Sequence, residues 1–396
     1  MVRILRKLTF ITITICISCF LYVCLFRHPK TFDKTLEDQY LLTMIREYAK
    51  VNISLPEESS SKYVTKQSTH LLSPSWRSIY HKTKLWEKQM TFRDLPRELQ
   101  KQMIHFKIKN KYKVKYEGKI NQQHNPRDLL CQIKLKVNIT TLRRSDLSDN
   151  ANSWSHYLPN KDMNEALGKL RRCAVVASAG SMIGSKLGQE IDSHDAVLRF
   201  NAAPTKGFET DVGSKTTFRL INSQVVTQKE FNFMKNPIYK DVILILWDPA
   251  PYDADIYQWY EKPEYKFFEP YRNYRLANPE QPFYILKPQM IWQLWDIIQE
   301  NSPEFIHPNP PSSGSIGILL MMNICDEVNV YEFLPSSRQT DRCYYYKRYF
   351  DVACTFGAYH PLIYEKNLIK KLNQGTEENI QKNGKVTLSG IRDLQC

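Results

Sequence analysis

Four short stretches of this chain carry residue types that could hold an anion and move a proton. The first is Ser178-Ala179-Gly180-Ser181-Met182-Ile183-Gly184, which follows the apolar run Cys173–Ser178. A strand that enters a glycine turn and then a helix aims backbone N–H groups at a phosphate, although this turn lacks the middle glycine of the dinucleotide fingerprint. Asn201 and Asn222 each close a strand-like run, LRFN and LINS. Strand ends of that kind line ligand crevices in open α/β sheets, and an Asn there equally caps a turn. The next stretch is Pro308-Asn309-Pro310-Pro311-Ser312-Ser313-Gly314-Ser315. Its prolines force an extended entry, after which two serines and a glycine offer hydroxyls and free N–H groups to an anion. A plain serine N-cap accounts for one of those serines, and the two readings stand side by side. The last stretch joins Cys343-Tyr344-Tyr345-Tyr346 to Thr355-Phe356-Gly357-Ala358-Tyr359-His360-Pro361. His360 falls at the N-cap of a helix, where the dipole disfavours imidazolium. A neutral imidazole is what a general base requires, and a structural histidine is the other reading.

Other constellations point elsewhere. Asp253-Ala254-Asp255 is the kind of triplet that binds a cation beside a nucleotide-sugar diphosphate. The aromatic stretch Tyr252–Tyr274 could stack on sugars, in an enzyme's acceptor site or in an inert glycan-binding module. No Cys-x-x-Cys pair lies in the body of the chain, so nothing there has zinc-site spacing.

The elements that must position these residues alternate in type. Cys173–Ser178, Ala196–Phe200, Val242–Trp247, Phe283–Leu286 and Val328–Phe333 read as buried strands. Met182–Ile191, Gln289–Glu300 and Ser315–Cys325 read as helices. A last helix is expected from Pro361 to about Leu372, with Pro in its first turn and Gly375 beyond its end. Such alternation implies an α/β fold with a mostly parallel sheet flanked by helices.

The 396 residues leave room for more than this body. Leu8 to Phe26 is 19 residues without a charge, long enough to span a bilayer. Arg3, Arg6 and Lys7 precede it, which keeps the N-terminus cytosolic and identifies an uncleaved signal anchor. Cys16, Cys19 and Cys24 fall inside that segment. The expected division is a cytosolic tail at 1–7, the anchor at 8–26, a polar stem at 27–95 and a luminal catalytic domain at 96–396. The net charge of +14 is uneven. His81–Ile120 holds 12 Lys/Arg against 4 Asp/Glu, and reads as a solvated, loosely ordered arm rather than a nucleic-acid surface, since no nucleic-acid motif accompanies it. Asn52-Ile53-Ser54 and Asn138-Ile139-Thr140 are glycosylation acceptors, in keeping with a luminal body. Six cysteines remain: Cys131, Cys173, Cys325, Cys343, Cys354 and Cys396. Three disulfides follow from an oxidising lumen; spacing favours only the short Cys343–Cys354 loop and leaves the rest open.

Together these stretches resemble a known family. Arg172–Gln224 is similar to the large sialylmotif of animal sialyltransferases, and Pro308–Asn329 to the small one. Cys343–Tyr346 resembles the third motif, and His360 with Glu365 the very small motif. The likeness spans about residues 131–396 and in detail favours the enzymes that form α-2,6 linkages to β-galactosides. It implies a Rossmann-like sheet in a GT-A-like variant. It implies that CMP-sialic acid is held by Ser178, Asn201, Asn222, Ser312, Ser313, Gly314, Tyr344, Thr355, Tyr359 and Lys366. His360 would take the proton from galactose O6 of an N-acetyllactosamine-terminated glycoprotein glycan, with no metal and no other cofactor. It implies the pairings Cys131–Cys396, Cys173–Cys325 and Cys343–Cys354. It implies a single-pass Golgi membrane protein with its catalytic domain in the lumen, from which stem cleavage would release a soluble form. A homodimer is compatible with the sequence but is not encoded in any motif.

Overall fold

The computed structural model describes Trp86 and residues 88–123, 125–147 and 156–396. The expected anchor, its three cysteines, the stem to residue 85 and Asn52 lie outside the described residues. Among the described residues no helix is long and apolar enough to cross a membrane.

The body begins with helix α1 (Arg97–Lys109) and helix α2 (Pro126–Lys136). Strands β1 (Leu170–Val176), β2 (Ala196–Phe200), β3 (Phe218–Asn222) and β4 (Ile243–Trp247) follow. Then come α3 (Phe268–Ala277), β5 (Phe283–Ile285), α4 (Gln289–Glu300), α5 (Ser313–Ile324) and β6 (Cys325–Tyr331). A hairpin of β7 (Arg342–Tyr344) and β8 (Lys347–Phe350), helix α6 (Leu362–Leu372) and strand β9 (Lys385–Ser389) complete the chain. The seven-stranded sheet has the order β5-β4-β3-β2-β1-β6-β9. All its pairings are parallel except β6 with β9. A parallel sheet is covered on both faces, which is why the central strands are continuous apolar runs. Alternate residues of one strand serve two different layers, as the period of two requires. Cys173 and Val175 join the core under α4, α5 and α6, whereas Ala174 and Val176 pack with Met182, Leu187 and Ile191.

Helix α5 carries the site closest to the sheet. It is apolar all round and buried from Ser315 to Met322, as a helix in the middle of a core must be. Gly317 lets it approach so closely: a Cβ there would sit 2.6 Å from the Phe200 ring and 2.7 Å from Leu198 Cδ2. The disulfides pair as the resemblance implied. Cys173–Cys325 joins β1 to β6, Cys131–Cys396 ties α2 to the C-terminus, and Cys343–Cys354 closes the hairpin onto the turn that follows it.

Several expectations need correction. Met182–Ile191 is not one helix. Gly180–Met182 is a single 3-10 turn and Gly188–Asp192 a separate short helix. Between them Gly184 and Lys186 take positive φ, and their N–H groups donate to the Asp211 carboxylate at 2.8 and 3.0 Å instead of to a helical carbonyl. The basic segment is not a loose arm. Leu99, Met103 and Ile104 of α1, then Tyr112 and Val114, are buried, while Lys109, Lys111, Lys113 and Lys115 are exposed. Trp86, Met90 and Leu95 belong to the same core, so these three residues, which fall in the stretch read as the end of the stem, pack with the body. Strand β9 had no counterpart in the expected elements, because five residues with two apolar positions give too little signal alone.

Candidate active site

The C-terminal ends of the central strands open onto a cleft of ≈ 510 Å³. Its lining includes Ser178, Ser312, Ser313, Gly314, Tyr344, Thr355, Tyr359, His360 and Lys366. Nine of the predicted positions therefore converge, from four separate stretches of chain. Asn201 and Asn222 do not line it. Asn201 sits at φ +45 after β2, and its side-chain oxygen accepts the Asn222 N–H at 3.1 Å. The Asn222 side chain in turn caps the short helix Ser223–Thr227, accepting from Val225 N–H at 3.3 Å. The Asn201 oxygen joins the ends of β2 and β3, and the Asn222 oxygen caps the helix that follows β3.

Ser312 is also a cap. Its hydroxyl accepts the Ser315 N–H and donates to the Glu365 carboxylate, which also accepts the Ser312 N–H at 2.8 Å and the Ser315 hydroxyl. The O–H proton of Ser312 is thus used by the fold. Ser313 differs. Its oxygen accepts from Trp247 Nε1 at 3.0 Å, which leaves its O–H proton for a ligand. The N–H groups of Ser313 and Gly314 begin the 12-residue α5 and donate to no group among the described residues. A helix start of this kind, with a dipole behind it, favours an anion. Gly314 is required there because a Cβ would meet the Phe333 ring at 2.6 Å.

His360 is fixed from behind. Its Nδ1 lies 2.8 Å from the carbonyl oxygen of Pro310. A carbonyl can only accept, so Nδ1 carries the proton and Nε2 is left with its lone pair. The residue lies one position before the Pro361 N-cap rather than at it. Its pKa is lowered from the ordinary imidazole value chiefly by burial, against the pull of Glu365 and the hydrogen bond to Pro310. The neutral ring expected of a base is therefore favoured, with burial rather than the helix dipole as the leading cause. The proline-rich segment does further positioning: His307 Nε2 and Asn309 Nδ2 hold the Tyr359 carbonyl at 2.9 and 2.8 Å. Gly357, at φ +82, makes the turn that brings Tyr359 and His360 inward, since a Cβ would strike the His360 carbonyl at 2.5 Å.

Lys366 is buried, and its ammonium donates to the Thr355 carbonyl at 2.6 Å. Burial pushes it down to about 7, against the attraction of Glu365 and Glu332. No carboxylate hydrogen-bonds to it among the described residues. An uncompensated cation beside a helix start is a strong place for a phosphate or carboxylate.

The opposite wall was not foreseen. Gln102 and Phe106 of α1 line the cleft. Phe106 packs edge-on against Tyr359, with centroids 5.4 Å apart, and the Tyr112 hydroxyl meets the Tyr359 hydroxyl at 2.5 Å. The signal was available in the spacing of Leu99, Met103 and Phe106, but lay among lysines. Phe333, Arg342 and Asp351 also line the cleft.

The rival constellations lie elsewhere. Asp255 caps the helix Ile256–Glu261 in a capping box with Gln258, and Asp253 lines a different cleft. Among the described residues no group of three or more His, Cys, Asp or Glu could hold a metal ion. In the aromatic stretch Trp259, Phe267, Tyr271 and Tyr274 are fully buried core rather than a sugar platform. Asn138 is exposed after α2, as a glycosylation acceptor must be.

The profile of glycosyltransferase family 29 (sialyltransferase) matches residues 119–376. A Mus musculus protein named beta-galactoside alpha-2,6-sialyltransferase 1 is 46% identical over 387 residues, covering 95% of both chains. Its Homo sapiens namesake is 53% identical over 313 residues, 79% of this chain and 77% of its own. A solved mammalian sialyltransferase in complex with Gal-beta-1-3GalNAc-ortho-nitrophenol overlaps 78% of this chain and 92% of its own at 22% identity. Its TM-score of 0.35 is too low to bear on residue positions.

Proposed function

Since the chain belongs to glycosyltransferase family 29, the sialyltransferases, we propose that it transfers sialic acid from CMP-sialic acid to O6 of a terminal galactose, with His360 as base and without a metal. The observation that carries the chemistry is the Pro310 carbonyl on His360 Nδ1, which leaves Nε2 as the acceptor of a ring that lines the cleft. In the step itself the galactose O6–H gives its proton to Nε2. The oxygen bonds to the anomeric carbon of sialic acid, and the bond from that carbon to the phosphate oxygen breaks. The electron pair leaves with CMP and the configuration inverts. Base assistance of this kind is worth about 10²–10⁴-fold. The departing phosphate gains charge, and the donors nearest it would be the Ser313 hydroxyl, the N–H groups of Ser313 and Gly314, and the Lys366 ammonium. One phosphate needs no cation to bridge it to a second, which supports the metal-independent reading.

The relatives' printed names support a β-galactoside acceptor and a 2,6 linkage. N-acetyllactosamine ends of glycoprotein glycans are the natural form of that acceptor. The apolar segment 8–26 and the acceptor triplets support a type II membrane protein with a lumenal body; the Golgi location and a GT-A-like fold are part of the same family reading. Two-dimensional NMR of the product from N-acetyllactosamine tests the linkage: a glycosylation shift at galactose C6 is expected, and one at C3 would overturn the choice of O6.

A further inference from the structure

The ammonium of Lys366 has aromatic neighbours where an ion pair would be usual. The Trp86 ring lies 4.6 Å from Nζ and the Phe333 ring 5.9 Å. The charged groups around it are engaged elsewhere. Glu365 is held by Ser312 and Ser315, and Glu332 by Ser181, Ser336 and Arg338. Lys370, one turn along α6, bonds the Trp86 carbonyl and Glu377. Phe333, Thr355 and Lys366 line the cleft, but Trp86 does not. It stands behind the lysine, 2% exposed, stacked on Phe356 at 5.8 Å. Its indole N–H finds no partner among the described residues, so hydrogen bonding does not explain a tryptophan here. A π face stabilises a cation without neutralising it, and Trp does so best.

We propose that Trp86, from the segment preceding the family-matched region, is a positioning residue that favours the charged form of the Lys366 side chain against the cost of its burial, without an ion pair, for the anionic group of the donor. A carboxylate in that place would also stabilise the ammonium but would cancel its field; an aromatic face leaves the field for the ligand. The inference rests on the donor reading given above.

The test is calorimetric binding of CMP and of cytidine, at one pH near neutrality, to the full chain in detergent and to its W86F and W86L variants. CMP and cytidine share the base and ribose, and only CMP carries the phosphate that the proposal sets against the ammonium. In W86L, CMP should bind roughly five- to thirty-fold more weakly, the range for a desolvated cation–π contact. W86F should lose about threefold, since its ring is the weaker π donor but fills much of the same space. Cytidine should be unchanged in both. Should W86L fail to fold, W86F decides the matter, because it also removes the unpartnered N–H. Equal weakening of CMP and cytidine, or no change in either, would overturn the proposal. A wild-type chain that prefers neither nucleotide nor nucleoside would instead sink the donor reading itself.

Discussion

The two walls of the cleft are built in different ways. The C-terminal wall is polar and cross-linked: Glu365 binds the start of α5, the segment His307–Pro310 binds Tyr359 and His360, and a disulfide closes the hairpin. The N-terminal wall, where Gln102 and Phe106 face the cleft with Trp86 and Tyr112 behind it, is held mostly by rings. Phe106 rests on Tyr359, Tyr112 on Trp292 and Trp86 on Phe356. The polar wall fixes atoms that do chemistry, where small displacements are costly. The aromatic wall fixes surfaces, which tolerate exchange of one ring for another. Changes in the first should therefore strike turnover, and changes in the second should strike binding and stability.

The largest effect is expected at His360. His360→Ala should lower kcat by about 10²–10⁴-fold while CMP still binds, as initial rates and calorimetry would register. Loss of CMP binding in that variant would place His360 in the architecture of the wall instead. Glu365→Ala comes next. It leaves the Ser312 N–H and two hydroxyls without their shared carboxylate, so it should lower kcat by displacing the start of α5 and also cost about 3 kcal/mol of stability, with a fall in melting temperature. An unchanged melting temperature would mean that the start of α5 is held by something else. Across the cleft, Tyr112→Phe removes the hydroxyl partner of Tyr359 and should cost about 1 kcal/mol, with KM for the donor affected more than kcat. A larger loss in kcat than in KM would erase the distinction between the walls.

How much of this was legible in the sequence follows the same division. The C-terminal wall was plain because prolines, clustered serines and a histidine have specific backbone consequences. Even so, the side-chain oxygens of Asn201 and Asn222 and the hydroxyl of Ser312 also hold backbone N–H groups of the fold, a second role that residue type cannot announce. The strands were visible as apolar runs, and β2 and α4 fell on their expected residues. The N-terminal wall was hidden. Lysines around Leu99, Met103 and Phe106 gave the segment the composition of a solvated arm, although their long stems let such residues border a buried face. Trp86 carries no local signal at all, because its meaning comes from Lys366, which is 280 positions later in sequence. The split of Met182–Ile191 needed knowledge of Asp211, again a partner distant in sequence.

A smaller effect, on pH, follows from the polar wall alone. The working form of His360 is neutral, and burial lowers its pKa below the ordinary 6.5. The acid limb of kcat/KM should therefore lie below that value. Lys366 works when charged and titrates at about 7 in the free protein, so kcat/KM should decline again as pH rises beyond it. A profile between pH values of about 5 and 9 would show a bell; an acid limb above 6.5 would contradict the burial of His360 as the controlling effect.

The most direct test is transfer from CMP-sialic acid to an N-acetyllactosamine-terminated acceptor by the full chain, with EDTA present, for the wild type and His360→Ala. The account requires robust transfer by the wild type, lost in the variant while CMP affinity is kept. Transfer that appears only when Mn²⁺ is added, or that survives in the variant, would contradict it.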